Sequence, residues 1–324
     1  MTALPDGIHE FLAGTDWRDA KISALPGDAS FRRYFRLADR GGTAMLMHAP
    51  PPEEDPAPFL NVARWLAENG KRAPHILAFD PAKGWILTED FGDERVRERL
   101  ERNPQEEESI YTAAVDVLAD LHRRPPGPFS PYDMATYLRE VNLLIEWYCP
   151  RVGIAADRPS WEKAWEEVLE PLLERQKPGV TVLRDYHAEN IMLPPDGGQG
   201  LIDFQDALVG HKAYDLVSLL QDARRDVSPE VERAMLDHYR AQANSGPEFE
   251  ADYAVLGAQR NAKIVGIFTR LAERDGKPRY LSLIPRVWRL MERDLCHPDL
   301  APVARWFDSN IPDMVRKADG AVSL

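Results

Sequence analysis

Two short stretches near the middle of this chain carry side chains that could do chemistry together. The first, Leu183-Arg184-Asp185-Tyr186-His187-Ala188-Glu189-Asn190, sets a carboxylate five residues ahead of an amide. The second, Leu201-Ile202-Asp203-Phe204, puts another carboxylate directly after an apolar pair. Moving a phosphoryl group from a nucleotide to an alcohol needs such a trio. One Asp accepts the proton of the attacking hydroxyl, while an Asn and a second Asp hold magnesium against the phosphates. Magnesium is a hard cation that takes oxygen ligands, so Asp and Asn suit it. Taken singly, Asp185 fits a turn or a helix cap, Asn190 a turn and Asp203 a strand-end cap. The spacing among all three points instead to Asp185 as catalytic base and to Asn190 and Asp203 as metal ligands.

The elements that must position these groups are legible from periodicity. Residues 9–20 read as a short amphipathic helix, and Ile22 to Leu37 as two strands around Pro26-Gly27-Asp28. Ala44 to Met47 is a strand ended by Pro50-Pro51-Pro52, and Phe59 to Leu66 is a helix that stops at Asn69-Gly70. Ile76–Phe79 and Trp85–Thr88 form a further strand pair. A polar connector, Glu89-Asp90-Phe91-Gly92-Asp93, precedes helices at Ile110–His122, Tyr137–Tyr148, Trp161–Arg175, Glu230–Gln242 and Phe249–Glu273. The expected fold is α+β and bilobal. A strand-rich nucleotide-holding lobe covers residues 1–92, with a hinge at about 88–93, and a helical catalytic lobe covers 93–324.

Composition narrows the function. A chain of 324 residues with 44% hydrophobic content buries a substantial core. The net charge of −13 argues against nucleic acid as a partner, because phosphate binding demands a basic surface. Cys149 and Cys296 make no disulfide framework and lack metal-ligand spacing, which fits reduced structural thiols. No stretch approaches the roughly 20 apolar residues of a membrane span, and the N-terminus shows no leader pattern. A soluble, cytoplasmic protein without a membrane partner is expected.

The phosphate and acceptor groups are less sharply marked. Gly27-Asp28-Ala29-Ser30 between two strands fits a hairpin turn or a loop whose Ser30 and backbone N–H groups approach phosphate; its place ahead of the other motifs favours the loop. The strand Ala44-Met45-Leu46-Met47-His48 supplies no Lys for the phosphates. Arg32, Arg33 or Arg36 could replace it, since a guanidinium fork grips phosphate in a bidentate manner, and Arg33 is the preferred candidate. Tyr186, His187, Gln205, Asp206, Asp222 and Arg225 fall near the expected mouth of the site. Asp206 and Asp222 suit the hydroxyls of an acceptor, and Arg184 and Arg225 suit an anionic substituent; ordinary surface charge competes in each case. Arg260 and Lys263 read as basic tips snorkelling from a packed helix. Trp161, Trp165, Trp288 and Trp306 read as core.

Asp185-x4-Asn190 followed by Asp203 resembles the aminoglycoside phosphotransferase and choline kinase family, distant relatives of protein kinases. The string from Ile202 through Asp206, Gly210 and Tyr214-Asp215-Leu216 is similar to that family's magnesium segment and following helix. The resemblance runs from about residue 22 to about 290. It implies a protein-kinase-like bilobal fold, with ATP and Mg2+ as cofactors. It further implies that Asp215 braces the catalytic loop and that Glu89 and Phe91 lie at a hinge whose backbone groups contact adenine, with the Phe91 ring packing on the base or, more commonly, in the core between the lobes. Leu183 stands where the family usually has His. Gln205 stands where protein kinases have the Gly of Asp-Phe-Gly, which suits a constitutively assembled small-molecule kinase. Three stretches, Gly27–Tyr34, Leu183–Asn190 and Gln221–Val227, are similar to bacterial anomeric kinases of N-acetylmuramate and N-acetylglucosamine, placed in cell-wall recycling. A kinase of an aminoglycoside, choline-like or homoserine-like acceptor is the alternative, and a non-catalytic nucleotide-binding protein is a third.

Overall fold

A computed structural model describes residues 4–26, 32–243 and 245–316. The chain opens with α1 (Ile8–Ala13), β1 (Lys21–Ala24), β2 (Arg33–Asp39), β3 (Gly42–His48), α2 (Ala57–Glu68), β4 (Ile76–Asp80), β5 (Trp85–Glu89) and α3 (Val96–Arg102). Then come α4 (Glu107–His122), α5 (Met134–Leu143), a π turn over Leu144–Tyr148, α6 (Cys149–Arg151) and α7 (Arg158–Arg175). Four short strands follow: β6 (Val180–Val182), β7 (Ile191–Met192), β8 (Gly200–Leu201) and β9 (Leu208–Gly210). The rest is helical: α8 (Tyr214–Leu220), α9 (Pro229–Ala243), α10 (Phe249–Glu273), α11 (Ile284–Leu295), α12 (Ala301–Asn310) and α13 (Asp313–Arg316).

The chain divides into two compact units, residues 1–102 with 189–206, and residues 103–188 with 207–324. The first unit thus runs ten residues past the expected boundary at residue 92 and takes in a later segment. Within the first unit, Arg95 bridges Met192 and the Leu193 N–H donates to the Glu94 carbonyl, so α3 and the β7–β8 hairpin belong with the N-terminal sheet. A hairpin recruited from about a hundred residues downstream leaves no local signal in sequence.

The first unit is built on an antiparallel sheet in the order β1-β2-β3-β5-β4. Alternating inward residues Phe35, Leu37, Ala44, Leu46 and Leu87 pack with Ile8 and Leu12 of α1, as a half-buried sheet requires. Each expected strand and the α2 helix appears within a few residues of its reading.

In the second unit α10 runs through the interior, buried on nearly every side from Phe249 to Leu271. A helix buried all round has no polar face for snorkelling tips. Arg260 and Lys263 are accordingly only 3% and 8% exposed, which overturns the snorkelling expectation. A Cβ on Gly266 would stand 2.3 Å from the Leu143 backbone, so glycine allows α10 to touch the end of α5. Asp133 and Asp157 cap α5 and α7 by accepting from the Thr136 and Ser160 N–H groups at 2.9 and 3.0 Å. All four tryptophans named above are buried, and both cysteines are free, Cys149 inside and Cys296 exposed. Among the described residues no helix is long and apolar enough to cross a membrane.

Candidate active site

In the first unit the β7–β8 hairpin presents the predicted metal ligands. Asn190 precedes β7 and Asp203 follows β8; the Ile202 N–H donates to the Asn190 carbonyl at 3.1 Å, which extends the ladder to the two ends. Asn190 Nδ2 then lies 3.4 Å from Asp203 Oδ2, and Gln205 Nε2 donates to Asp203 Oδ1 at 3.0 Å. Asp203 adopts a left-handed backbone with φ of 59°. That conformation costs a non-glycine residue on the order of 1–2 kcal/mol and persists only where the surroundings impose it. Next to it Phe204 is buried and stacks on Phe59 of α2, ring centroids 5.1 Å apart, pinning the strand end that aims Asp203.

These two residues fit a magnesium ion. They offer oxygen donors without His or Cys, and the Asp203 side chain is 49% exposed. Among the described residues no cluster of three or more His, Cys, Asp and Glu could hold a metal by itself. Magnesium commonly takes one or two protein oxygens and completes its shell with phosphate and water, so a two-residue set is adequate.

The predicted phosphate loop, Gly27, Asp28 and Ser30, lies outside the described residues. Of the candidate arginines, Arg32 reaches the metal pair: its Nη1 is 3.9 Å from Asp203 Oδ1, with Nε 3.7 Å from Glu54. Arg33 instead lies over the Phe35 ring at 5.3 Å. Arg36 is engaged by Asp90 and Asp93, each at 2.7 Å. In the connector, Glu89 accepts from Arg72 at 3.0 Å and from the His75 N–H at 3.3 Å. Phe91 is buried with Arg72 over its ring at 5.2 Å, and a Cβ on Gly200 would strike that ring at 2.6 Å. Its ring is thus committed to packing on the hairpin.

In the second unit β6 leads straight into the catalytic loop. Arg184 is left-handed, with φ of 70°. Asp215, buried at the start of α8, accepts from the Leu183 and Arg184 N–H groups at 2.7 and 2.8 Å. The Asp215 carboxyl is pushed up to about 7 by burial, a rise those two N–H groups oppose. Asp185 follows with a side chain 40% exposed, and Arg260 Nη2 lies 3.9 Å from its Oδ1. Burial works to raise the Asp185 carboxyl, but Lys263, Arg260, His187 and Arg184 together outweigh it and hold it below the usual carboxylate range. An exposed, ionised carboxylate ringed by cations can orient a hydroxyl and receive its proton.

The acceptor candidates divide. Asp222 is buried, accepts from the Arg224 N–H at 2.8 Å, and acts with Asp185, Arg224 and Arg260 on the buried His187, whose basicity is lowered chiefly by burial. Asp206 is exposed at the end of the first unit. The other three candidates have partners within the second unit. Tyr186 is 2% exposed and its hydroxyl donates to the Ala114 carbonyl at 2.9 Å, so it serves the interior. Arg184 is paired with Glu140, and Arg225 with Glu107 at 2.5 Å and with the Tyr111 hydroxyl at 3.1 Å, so neither is a lone cation awaiting an anion. The residues missed from sequence are Glu140, Arg260 and Lys263. A Glu and a Lys within otherwise apolar helical faces were the available signal.

Residues 21–254 match the phosphotransferase enzyme family known as APH. The N-acetylmuramate/N-acetylglucosamine kinase of Caulobacter vibrioides is 36% identical, over 95% of this chain and 96% of its own. The protein of the same name from Pseudomonas aeruginosa is 35% identical over 91% and 90%. Among solved structures, LicA in complex with AMP superposes with a TM-score of 0.64 at 13% identity, covering 89% of this chain and 97% of that one, and the choline kinase LicA from Streptococcus pneumoniae with a TM-score of 0.62 at 14% identity, covering 87% and 93%. A strand-built unit bearing Asn190 and Asp203, a helical unit bearing a braced Asp185, and a match spanning both agree: the chain belongs to the APH phosphotransferase enzyme family.

Proposed function

We propose that this protein is an ATP-dependent anomeric sugar kinase that converts N-acetylmuramate and N-acetylglucosamine to their 1-phosphates in cell-wall sugar recycling. Asp185 carries the catalytic part of this reading, since an exposed carboxylate held ionised by buried cations is what an alcohol nucleophile requires. Near-full-length similarity to relatives bearing that name carries the choice of acceptor.

The Asp185 carboxylate orients the anomeric hydroxyl and takes its proton as the sugar oxygen bonds to the γ-phosphorus and the bond to ADP breaks. The anomeric hydroxyl is more acidic than a simple alcohol, so a carboxylate with a depressed pKa suffices as its base. Asn190 and Asp203 would hold magnesium, which when bound offsets charge on the phosphates. Arg32, beside Asp203, supplies the cation that the β3 strand lacks. Asp215 keeps the loop in register through its two backbone bonds.

The test is direct. Purified protein is incubated with magnesium, ATP and each sugar, and the product is examined by phosphorus and proton NMR. Coupling of phosphorus to the anomeric proton of either sugar is the expected result. Phosphate at another position, or no consumption of either sugar above the rate of ATP hydrolysis, would overturn the acceptor assignment.

A further inference from the structure

Arg184 occupies a left-handed conformation immediately before the base, and something must hold it there. Asp215 secures the backbone on one side. On the other, the Arg184 guanidinium donates to Glu140 of α5. Glu140 is 4% exposed, and its carboxylate is saturated with donors. Lys263 of α10 lies 3.1 Å from Oε1, Gln259 Nε2 donates to Oε2 at 3.2 Å, and the Tyr132 hydroxyl donates as well. Tyr132 is fixed in turn by stacking on Tyr137, ring centroids 4.0 Å apart.

Glu140 therefore joins α5 and α10 to Arg184, whose backbone is left-handed. Its carboxylate lies between two cations, Arg184 and Lys263. A buried carboxylate with four donors from three segments cannot shift without leaving several of them unpaired, which makes it a rigid anchor.

We propose that Glu140 is a positioning residue for phosphoryl transfer: through Arg184 it fixes the left-handed turn that aims the Asp185 carboxylate at the acceptor. The proposal rests on the kinase reading above for the role of Asp185, but not on which sugar is used. Glu140 never touches substrate, so its loss affects turnover and leaves substrate binding alone.

Glu140→Gln keeps the shape and removes the charge, while Arg184→Met removes the arm. Both single variants and the double are compared with wild type for kcat, for KM of ATP and sugar, and for melting temperature. ATP hydrolysis by water is followed in parallel, so a wild type inert toward both sugars defeats the sugar assignment and still reports on Glu140. Each single variant is expected to lose about 10- to 100-fold in kcat, as with other partners that orient a catalytic group, with both KM values nearly unchanged. The double should fall no further than the worse single, because both act through one contact. A folded Glu140→Gln with wild-type kcat, or losses that multiply in the double, would overturn the proposal. Should Glu140→Gln not fold alone, it is placed on Lys263→Met, which removes one positive charge along with the negative one. A further fall in kcat relative to Lys263→Met supports the proposal, and no further fall overturns it.

Discussion

Arg32 Nη1 stands 3.9 Å from Asp203 Oδ1, on the chain entering β2 instead of on the strand where kinases carry their lysine. The β3 strand offers Met45 and Met47 in that region and no cation. If Arg32 supplies the missing charge, Arg32→Met should raise the KM for ATP and lower kcat/KM by about 10- to 100-fold, the worth of a charge-assisted hydrogen bond. Arg33→Met, whose guanidinium lies over Phe35, should stay near wild type. Steady-state kinetics of the two variants decide between the arginines, and the reverse ranking would restore Arg33.

Asp203 is aimed by a strained backbone and a buried Phe204, so its carboxylate is set before any ligand arrives. Asp203→Ala should remove magnesium-dependent turnover by at least about a hundredfold, while the melting temperature stays close to wild type because the side chain is half exposed. Titrating activity against magnesium in both proteins checks this. A variant that saturates at the wild-type magnesium concentration with near-normal kcat would show Asp203 to be misassigned.

Asp185 gives a pH signature. Its carboxyl is held below the ordinary carboxylate range, with Lys263 the foremost of the cations opposing burial. The group is thus already ionised throughout pH 5–8, and kcat/KM should show no acid limb from it there. Lys263→Met removes that cation, so the Asp185 pKa rises and a limb should move up toward the measured window. Asp185→Asn should cost about 10²- to 10⁴-fold in kcat at every pH. A full acid limb in the wild type that Lys263→Met leaves in place would locate the titrating group elsewhere.

Much of this architecture was legible because it is local. Strands at 22–37, 44–47, 76–79 and 85–88 announced themselves by alternation between turn residues, and α4, α7, α9 and α10 by their 3.6-residue period. Asp185, Asn190 and Asp203 stood out because their spacing is a property of one continuous segment. What escaped was non-local. Arg260 and Lys263 looked like surface tips because their counter-charges, Asp185 and Glu140, lie about 75 and 120 residues away in sequence. Tyr186 and Arg225 looked available for a sugar because Ala114 and Glu107, their partners, come from α4. The α11 helix is a different failure: Ile284, Val287, Trp288, Met291 and Leu295 follow helical spacing with Pro285 in the first turn, and the signal was present but unread.

Asp215 ties the fold to pH. Its carboxyl is buried and raised to about 7, well above the value it would take in an unfolded chain. Between about pH 4 and pH 7 the folded protein therefore holds a proton that the unfolded chain releases. Folding stability from this group is greatest at the acid end and declines as pH rises through 7. Asp215→Asn lacks the titration, and its amide oxygen can still accept one of the Leu183 and Arg184 N–H groups. The variant should be less stable overall, since a buried donor left unmet costs about 1–3 kcal/mol. The gap between the melting temperatures of wild type and variant should also shrink from pH 5 to pH 8. A gap that stays constant from pH 5 to pH 8 would mean that the two backbone bonds hold Asp215 ionised in the folded state throughout that range, as it is in the unfolded chain.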